Sequence, residues 1–259
     1  MYNKRAIIFI LILLVLPVGF IAIADESKPI LQIALTSQFP PYTVDHNEKT
    51  GIDPELISRV LERAGYTVNF VPTPSKRQAK VTARNDIDGV TGWLNKFLDG
   101  CHAARPYRYW FNVLIVPDES SIKTIDDLSG KRLAIFEEAQ KYIENFATYA
   151  DKVSYIVESD SSIQAGRMIK AGRVDAYLGD YVGYYYALLK QYGMDEAERL
   201  TDIKYYFNPN PQKICFKDKQ VRDRFDETLD QMIDEDIYSE IYNKYSPGID
   251  PSYFPTKSR

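Results

Sequence analysis

The chain has 259 residues, of which 45% are hydrophobic, 26% charged and 13% aromatic, a balance that excludes disordered, collagen-like and coiled-coil architectures. Its 32 Lys and Arg against 36 Asp and Glu leave a net charge of -4. The concentrated positive field that phosphate binding needs is missing, so no nucleic-acid partner is expected. Two cysteines and two histidines are too few for a zinc site of the usual Cys/His kind, and no metal or cofactor is expected.

Met1 to Ala24 reads as a secretory signal. Lys4 and Arg5 form a positive n-region, Ala6 to Leu16 an apolar h-region, and Ala22-Ile23-Ala24 a small-residue cleavage site followed by polar Asp25-Glu26-Ser27. The alternative is an uncleaved anchor, since Ala6 to Ala24 carries no charge. An exported compartment permits a disulfide between Cys101 and Cys215, with two separate buried thiols as the other reading.

Strand-like and helix-like segments then alternate. Ile30 to Leu35 is a β-rich run that ends in the proline-stiffened loop Phe39-Pro40-Pro41-Tyr42. Asp53 and Pro54 predict a helix start, as N-cap and first-turn proline, with Gly65 stopping that helix. Thr67 to Val71 is a strand, Ser75 to Arg84 a second helix and Ile87 to Thr91 a third strand, the β-α-β-α-β pattern of a parallel sheet. A like run follows: strand Arg132 to Phe136, helix Gln140 to Tyr149, strand Val153 to Val157, helix Ser162 to Ala171, strand Val174 to Leu178. Gln78-Ala79 with Ile87-Asp88-Gly89 in the first run echoes Gln164-Ala165 with Val174-Asp175-Ala176 in the second, a weak repeat that favours two similar lobes. Beyond the proline-broken Asn208 to Pro211 come strand Lys213 to Phe216, helix Val221 to Asp234 and a turn with Ile237, Ile241 and Tyr245 on one face. If this tail returns to the first lobe, two crossings join the lobes, near Pro106 to Phe111 and Asn208 to Gln212, and form a hinge. The expected division is lobe 1 from 25–110 and 210–259, and lobe 2 from 111–209.

Four blocks now carry a resemblance. They are Phe39-Pro40-Pro41-Tyr42 with Thr50-Gly51-Ile52-Asp53-Pro54-Glu55-Leu56; Ile87-Asp88-Gly89-Val90-Thr91-Gly92; Ile122 to Ala134; and Ala171 to Asp180. In order and spacing they are similar to those of the bacterial extracellular solute-binding proteins of family 3, the amino-acid-type binders of ABC importers. The resemblance covers nearly all of the mature chain. It implies an α/β periplasmic-binding-protein type II fold, with two lobes closing on a small-molecule ligand and a two-strand hinge between them.

The resemblance also implies site residues. Asp180 matches the acid that receives a ligand's ammonium group, and it equally suits the N-cap of the helix from Tyr181 to Lys190. Phe39 and Tyr42 match pocket aromatics, or else pack within their own loop. Trp93 and Asn95 follow the third strand, where small polar residues are usual, and Gln140 opens a helix whose amides would face a carboxylate. The family's carboxylate-clamping arginine is missing from Leu94 to Gly100; Arg77 is the preferred substitute, against a solvated helix residue. Glu137 and Glu138 put negative charge where the carboxylate should sit, so a cationic, less acidic or aromatic ligand becomes plausible.

The leading expectation is a monomeric periplasmic receptor that delivers a small polar solute to an inner-membrane ABC permease, without enzymatic activity. Two alternatives stand beside it: a cyclohexadienyl-dehydratase-like enzyme using Glu137, Glu138 or Asp180 as acid, and a sensory binding protein docking on a membrane receptor.

Overall fold

The computed structural model describes residues 28–37, 39–74, 77–81, 83–92, 100–247 and 254–255. The expected signal segment, together with Ser75, Trp93 and Asn95, lies outside them. Eleven strands are seen among the described residues. They are β1 (Ile30–Thr36), β2 (Thr67–Thr73), β3 (Gly89–Gly92), β4 (His102–Ala103), β5 (Arg108–Trp110), β6 (Asn112–Val116), β7 (Arg132–Phe136), β8 (Tyr155–Ser159), β9 (Ala176–Asp180), β10 (Asp202–Tyr206) and β11 (Asn210–Phe216). The helices are α1 (Ile52–Arg63), α2 (Gln78–Val81), α3 (Phe146–Ala150), α4 (Ser162–Lys170), α5 (Tyr181–Tyr192), α6 (Met194–Arg199), α7 (Lys219–Ile233) and α8 (Ile237–Tyr245).

The strands form two sheets of the same design. In the first the order is β2-β1-β3-β11-β4, and in the second it is β8-β7-β9-β6-β10. In each, three parallel strands are followed by an antiparallel one, β11 against β3 and β6 against β9. The weak sequence repeat has a physical meaning here. Asp88, just before β3, accepts from the Gln32 amide at 2.7 Å and donates its own amide to the Gln32 carbonyl at 2.9 Å. Asp175, just before β9, does the same with Arg132, at 2.8 Å for both bonds. Each aspartate thus staples the start of its strand to the strand beside it, satisfying backbone groups that the ladder leaves over.

Two antiparallel strands run from one sheet to the other. β5 passes through Phe111 straight into β6, and β10 leads through 207–209 into β11. β11 pairs with β5 in the register Asn210↔Trp110 and Gln212↔Arg108, and the Phe207 amide bonds the Asn112 carbonyl at 3.0 Å. The disulfide Cys101–Cys215 ties the loop after β3 to β11, where the partners' neighbours already pair.

Each sheet buries its own core. On the first, α1 presents Ile52, Leu56, Ile57, Val60 and Leu61, all 0–1% exposed, to a cluster with Ile33, Leu35, Phe216 and Phe225; each such side chain contributes about 1.5–3 kcal/mol. From α8, Ile237, Ile241 and Tyr245 join the same cluster. On the second sheet, Tyr184 stacks on Tyr177 and donates to the Leu200 carbonyl at 3.1 Å, so the Tyr184–Tyr185 pair is mainly core.

Several expected elements differ. Residues 140–149 are not one helix: a 3-10 turn at Ala139–Lys141 and the short α3 stand in its place, because Glu138 and Asn145 adopt left-handed backbone with φ of 62° and 56°. The strand expected at Val174 to Leu178 starts two residues later, since Asp175 is used as the staple. Asp53 is not an N-cap. α1 starts one residue earlier, after Gly51, whose φ of 118° and 2.6 Å approach of a would-be Cβ to the Tyr42 carbonyl exclude a side chain there.

Candidate functional site

The loop after β1 doubles back on itself: Phe39 and Thr43 exchange both backbone hydrogen bonds at 2.9 Å around Pro40 and Pro41. The amides of Ile52 and Asp53, at the head of α1, donate to the carbonyls of Pro41 and Tyr42 at 3.0 and 2.9 Å. The loop is therefore locked to the helix, and the Tyr42 side chain is held fully buried against the start of β5. Arg108 lies over the Tyr42 ring, 3.9 Å from its centroid. Phe39 stacks on Tyr42 at 5.7 Å, lies tilted against Trp110 at 5.6 Å and stays 42% exposed, so it forms the outer wall of an aromatic trio.

Tyr42 reaches across to the second sheet. Its hydroxyl lies 2.8 Å from both carboxylate oxygens of Asp180. Asp180 ends β9 and caps α5, accepting from the Gly183 amide at 2.7 Å. Capping uses one oxygen and leaves the carboxylate facing Tyr42. Burial raises the Asp180 carboxyl above its ordinary range, only partly offset by the Gly183 amide, the Tyr42 hydroxyl and the charge of Arg108. Burial first, and Asp180 second, likewise push the Tyr42 phenol well up. No Lys or Arg among the described residues forms an ion pair with Asp180.

Arg108 is the residue that sequence reasoning missed. It is 2% exposed and grips Asp53 with two hydrogen bonds, Nε to Oδ1 and Nη2 to Oδ2, the latter at 2.8 Å. Burial alone would lower the guanidinium, but the Asp53 carboxylate holds it above its ordinary value. The signal available was a lone arginine between tyrosine and tryptophan at the expected crossing, in Tyr107-Arg108-Tyr109-Trp110.

The structure brings together Phe39, Tyr42 and Asp180. Arg77 stands exposed on the turn between β2 and α2. Gln140 is exposed on a three-residue 3-10 turn. The helix it was expected to open is not formed, and a 3-10 turn stands in its place. Trp93 and Asn95 lie outside the described residues. A cavity of about 350 Å³ opens beside α5, lined by Tyr181, Tyr185, Met194, Glu198, Thr201 and Pro247. It includes neither Tyr42 nor Asp180, whose direct contact closes the gap between the sheets at that point.

Set beside known proteins, this arrangement has a clear place. Residues 31–248 match the model of the bacterial extracellular solute-binding proteins, family 3, and the chain belongs to that family. It has the two-sheet α/β architecture of type II periplasmic binding proteins. Among solved structures it resembles the L-cystine solute receptor of Neisseria gonorrhoeae in its unliganded open conformation, with a TM-score of 0.65 and 18% identity over 85% of this chain and 94% of that one. An ancestral arginine-binding protein bound to arginine gives 0.59 and 22% over 85% and 99%. Among curated proteins, a probable amino-acid ABC transporter-binding protein of Haemophilus influenzae is 27% identical over 62% of this chain and 64% of its own length. The probable ABC transporter extracellular-binding protein YckB of Bacillus subtilis is 29% identical over 63% and 59%. The chain thus spans under two thirds of the length of either curated relative.

Proposed function

We propose that this protein captures a small polar solute carrying an ammonium group, amino-acid-like or an amine, between two lobes and delivers it to an inner-membrane ABC permease. The lobes are 25–110 with 210–259, and 111–209, and the paired strands β5–β6 and β10–β11 are the hinge. One observation carries the reading. Asp180 is a desolvated carboxylate at the junction of the two sheets, satisfied by a hydroxyl and backbone amides and, among the described residues, by no ion pair. A ligand ammonium is the group that would make its charge worth burying. Phe39, Tyr42 and Trp110 supply the apolar wall, and Arg77, Trp93 and Asn95 are further candidates at the cleft. In this reading Met1 to Ala24 is cleaved on export to the periplasm, the mature chain is a monomer, and the ligand leaves chemically unchanged.

A thermal-shift screen over the L-amino acids, polyamines and small amines tests the proposal. At least one compound is expected to raise the melting temperature in a concentration-dependent way; a flat response to all of them would refute it. Product formation from prephenate or arogenate would overturn the claim that the ligand is left unchanged.

A further inference from the structure

Arg108, Trp110 and Asn112 alternate along the crossing strand, and strand alternation puts their side chains on one face. Across the ladder, Gln212 stands opposite Arg108 and Asn210 opposite Trp110, and opposed residues share a face. Asn112 in turn stands opposite Asp180. That this face is the one turned to the site is shown by Arg108 and Trp110 themselves, whose side chains lie against the Tyr42 ring, at 3.9 Å from its centroid in the first case and 6.1 Å between rings in the second.

All five residues carry a buried nitrogen with no hydrogen-bond partner among the described residues: Arg108 Nη1, Trp110 Nε1, Asn112 Nδ2, Asn210 Nδ2 and Gln212 Nε2. Arg108, Asn112 and Gln212 are 2–4% exposed. Leaving one buried donor unmatched is costly, and buried polar groups are as a rule paired. Five on one face of one ribbon, every one a donor, make a surface that lacks acceptors. It starts beneath Tyr42 and ends beside Asp180.

We infer that this hinge face is the carboxylate-binding half of the ligand site, replacing the arginine clamp absent from Leu94 to Gly100. The inference rests on the solute-binding reading and narrows its ligand to one that carries a carboxylate as well as an ammonium group. The ammonium goes to Asp180 and the carboxylate takes donors from the row, the Tyr42–Asp180 contact parting to admit them. Arg108 contributes through Nη1 alone, because Nε and Nη2 hold Asp53. A carboxylate placed on the two crossing strands touches the parts that must bend, which couples its binding to the hinge.

Calorimetric titration with matched pairs tests this: L-arginine and agmatine, L-lysine and cadaverine, L-histidine and histamine, L-tyrosine and tyramine. The amino acid that binds is expected to do so at least ten-fold more tightly than its decarboxylated partner. Trp110→Phe and Gln212→Met are each expected to weaken the amino acid about ten-fold, as loss of a hydrogen bond to a charged group does, and to move the amine less than two-fold. Equal affinity for amino acid and amine in the wild type would overturn the inference without any variant. So would variants that bind the amino acid as the wild type does, or that lose both ligands alike. If no member of any pair binds while a polyamine does, the carboxylate site is wrong and the receptor stands. If nothing binds, both readings fall.

Discussion

Tyr42 joins two aspartates with different surroundings. Its carbonyl accepts from the Asp53 amide at 2.9 Å, and its hydroxyl lies 2.8 Å from the Asp180 carboxylate. Asp53 is 3% exposed and is answered by the Arg108 guanidinium in a two-point grip. Asp180 is partly buried at the end of the other sheet and has, among the described residues, a phenol and backbone amides instead. A buried carboxylate with its cation built in is finished as structure. One that is desolvated yet has only neutral donors is held ready for a charge from elsewhere. The contrast separates the residue that holds the first sheet's site wall in place from the residue proposed to choose the ligand.

The comparison predicts unequal mutational effects. Asp53→Asn keeps the shape but leaves Arg108 buried without a counter-charge, and urea denaturation is expected to show a loss of about 3–5 kcal/mol. A loss under 1 kcal/mol would mean that the pair is not a structural anchor. Cys101→Ala with Cys215→Ala removes a link between residues 114 apart in sequence; about 2–4 kcal/mol is expected, read the same way and matched by reduction of the wild type. Tyr42→Phe deletes only the hydroxyl that spans the sheets. About 1.5–3 kcal/mol is expected for that bond to a charged group, with Arg108 still resting on the ring. A larger loss for Tyr42→Phe than for Asp53→Asn would reverse the assignment of roles.

Much of this molecule could be read from its residues. The two parallel runs and the crossings follow from alternation and turn residues, whereas Asp180, Phe39 and Tyr42 come into view only through the family resemblance. Arg108 and Asp53 escaped because their partnership spans 55 residues, and because Asp53 beside Pro54 satisfies every local rule for a helix start. Gly51, with a backbone only glycine tolerates, takes that position and frees Asp53 to turn inward. The segment from Gln140 to Tyr149 failed for a complementary reason. Its composition suits a helix, but left-handed Glu138 and Asn145 interrupt it, and neither is a glycine whose identity would warn of a break. The donor row was hidden since its members are spread over two strands and become neighbours only through the register Gln212↔Arg108.

Asp180→Asn probes the account at its centre. Asparagine can still cap α5 and accept from Tyr42. Because burial raises the native Asp180 carboxyl, the folded chain binds that proton more readily than the unfolded one. The group's contribution to stability is therefore full below the unfolded value and lost as pH rises through the folded one. At pH 7 the unliganded variant is expected to melt above the wild type, and the gap should close as pH is lowered through the carboxylate range. Calorimetric titration of this variant with the solute that stabilises the wild type is the most direct test. The account predicts affinity at least ten-fold weaker despite the higher melting temperature; unchanged affinity would show that the ammonium group is held somewhere else.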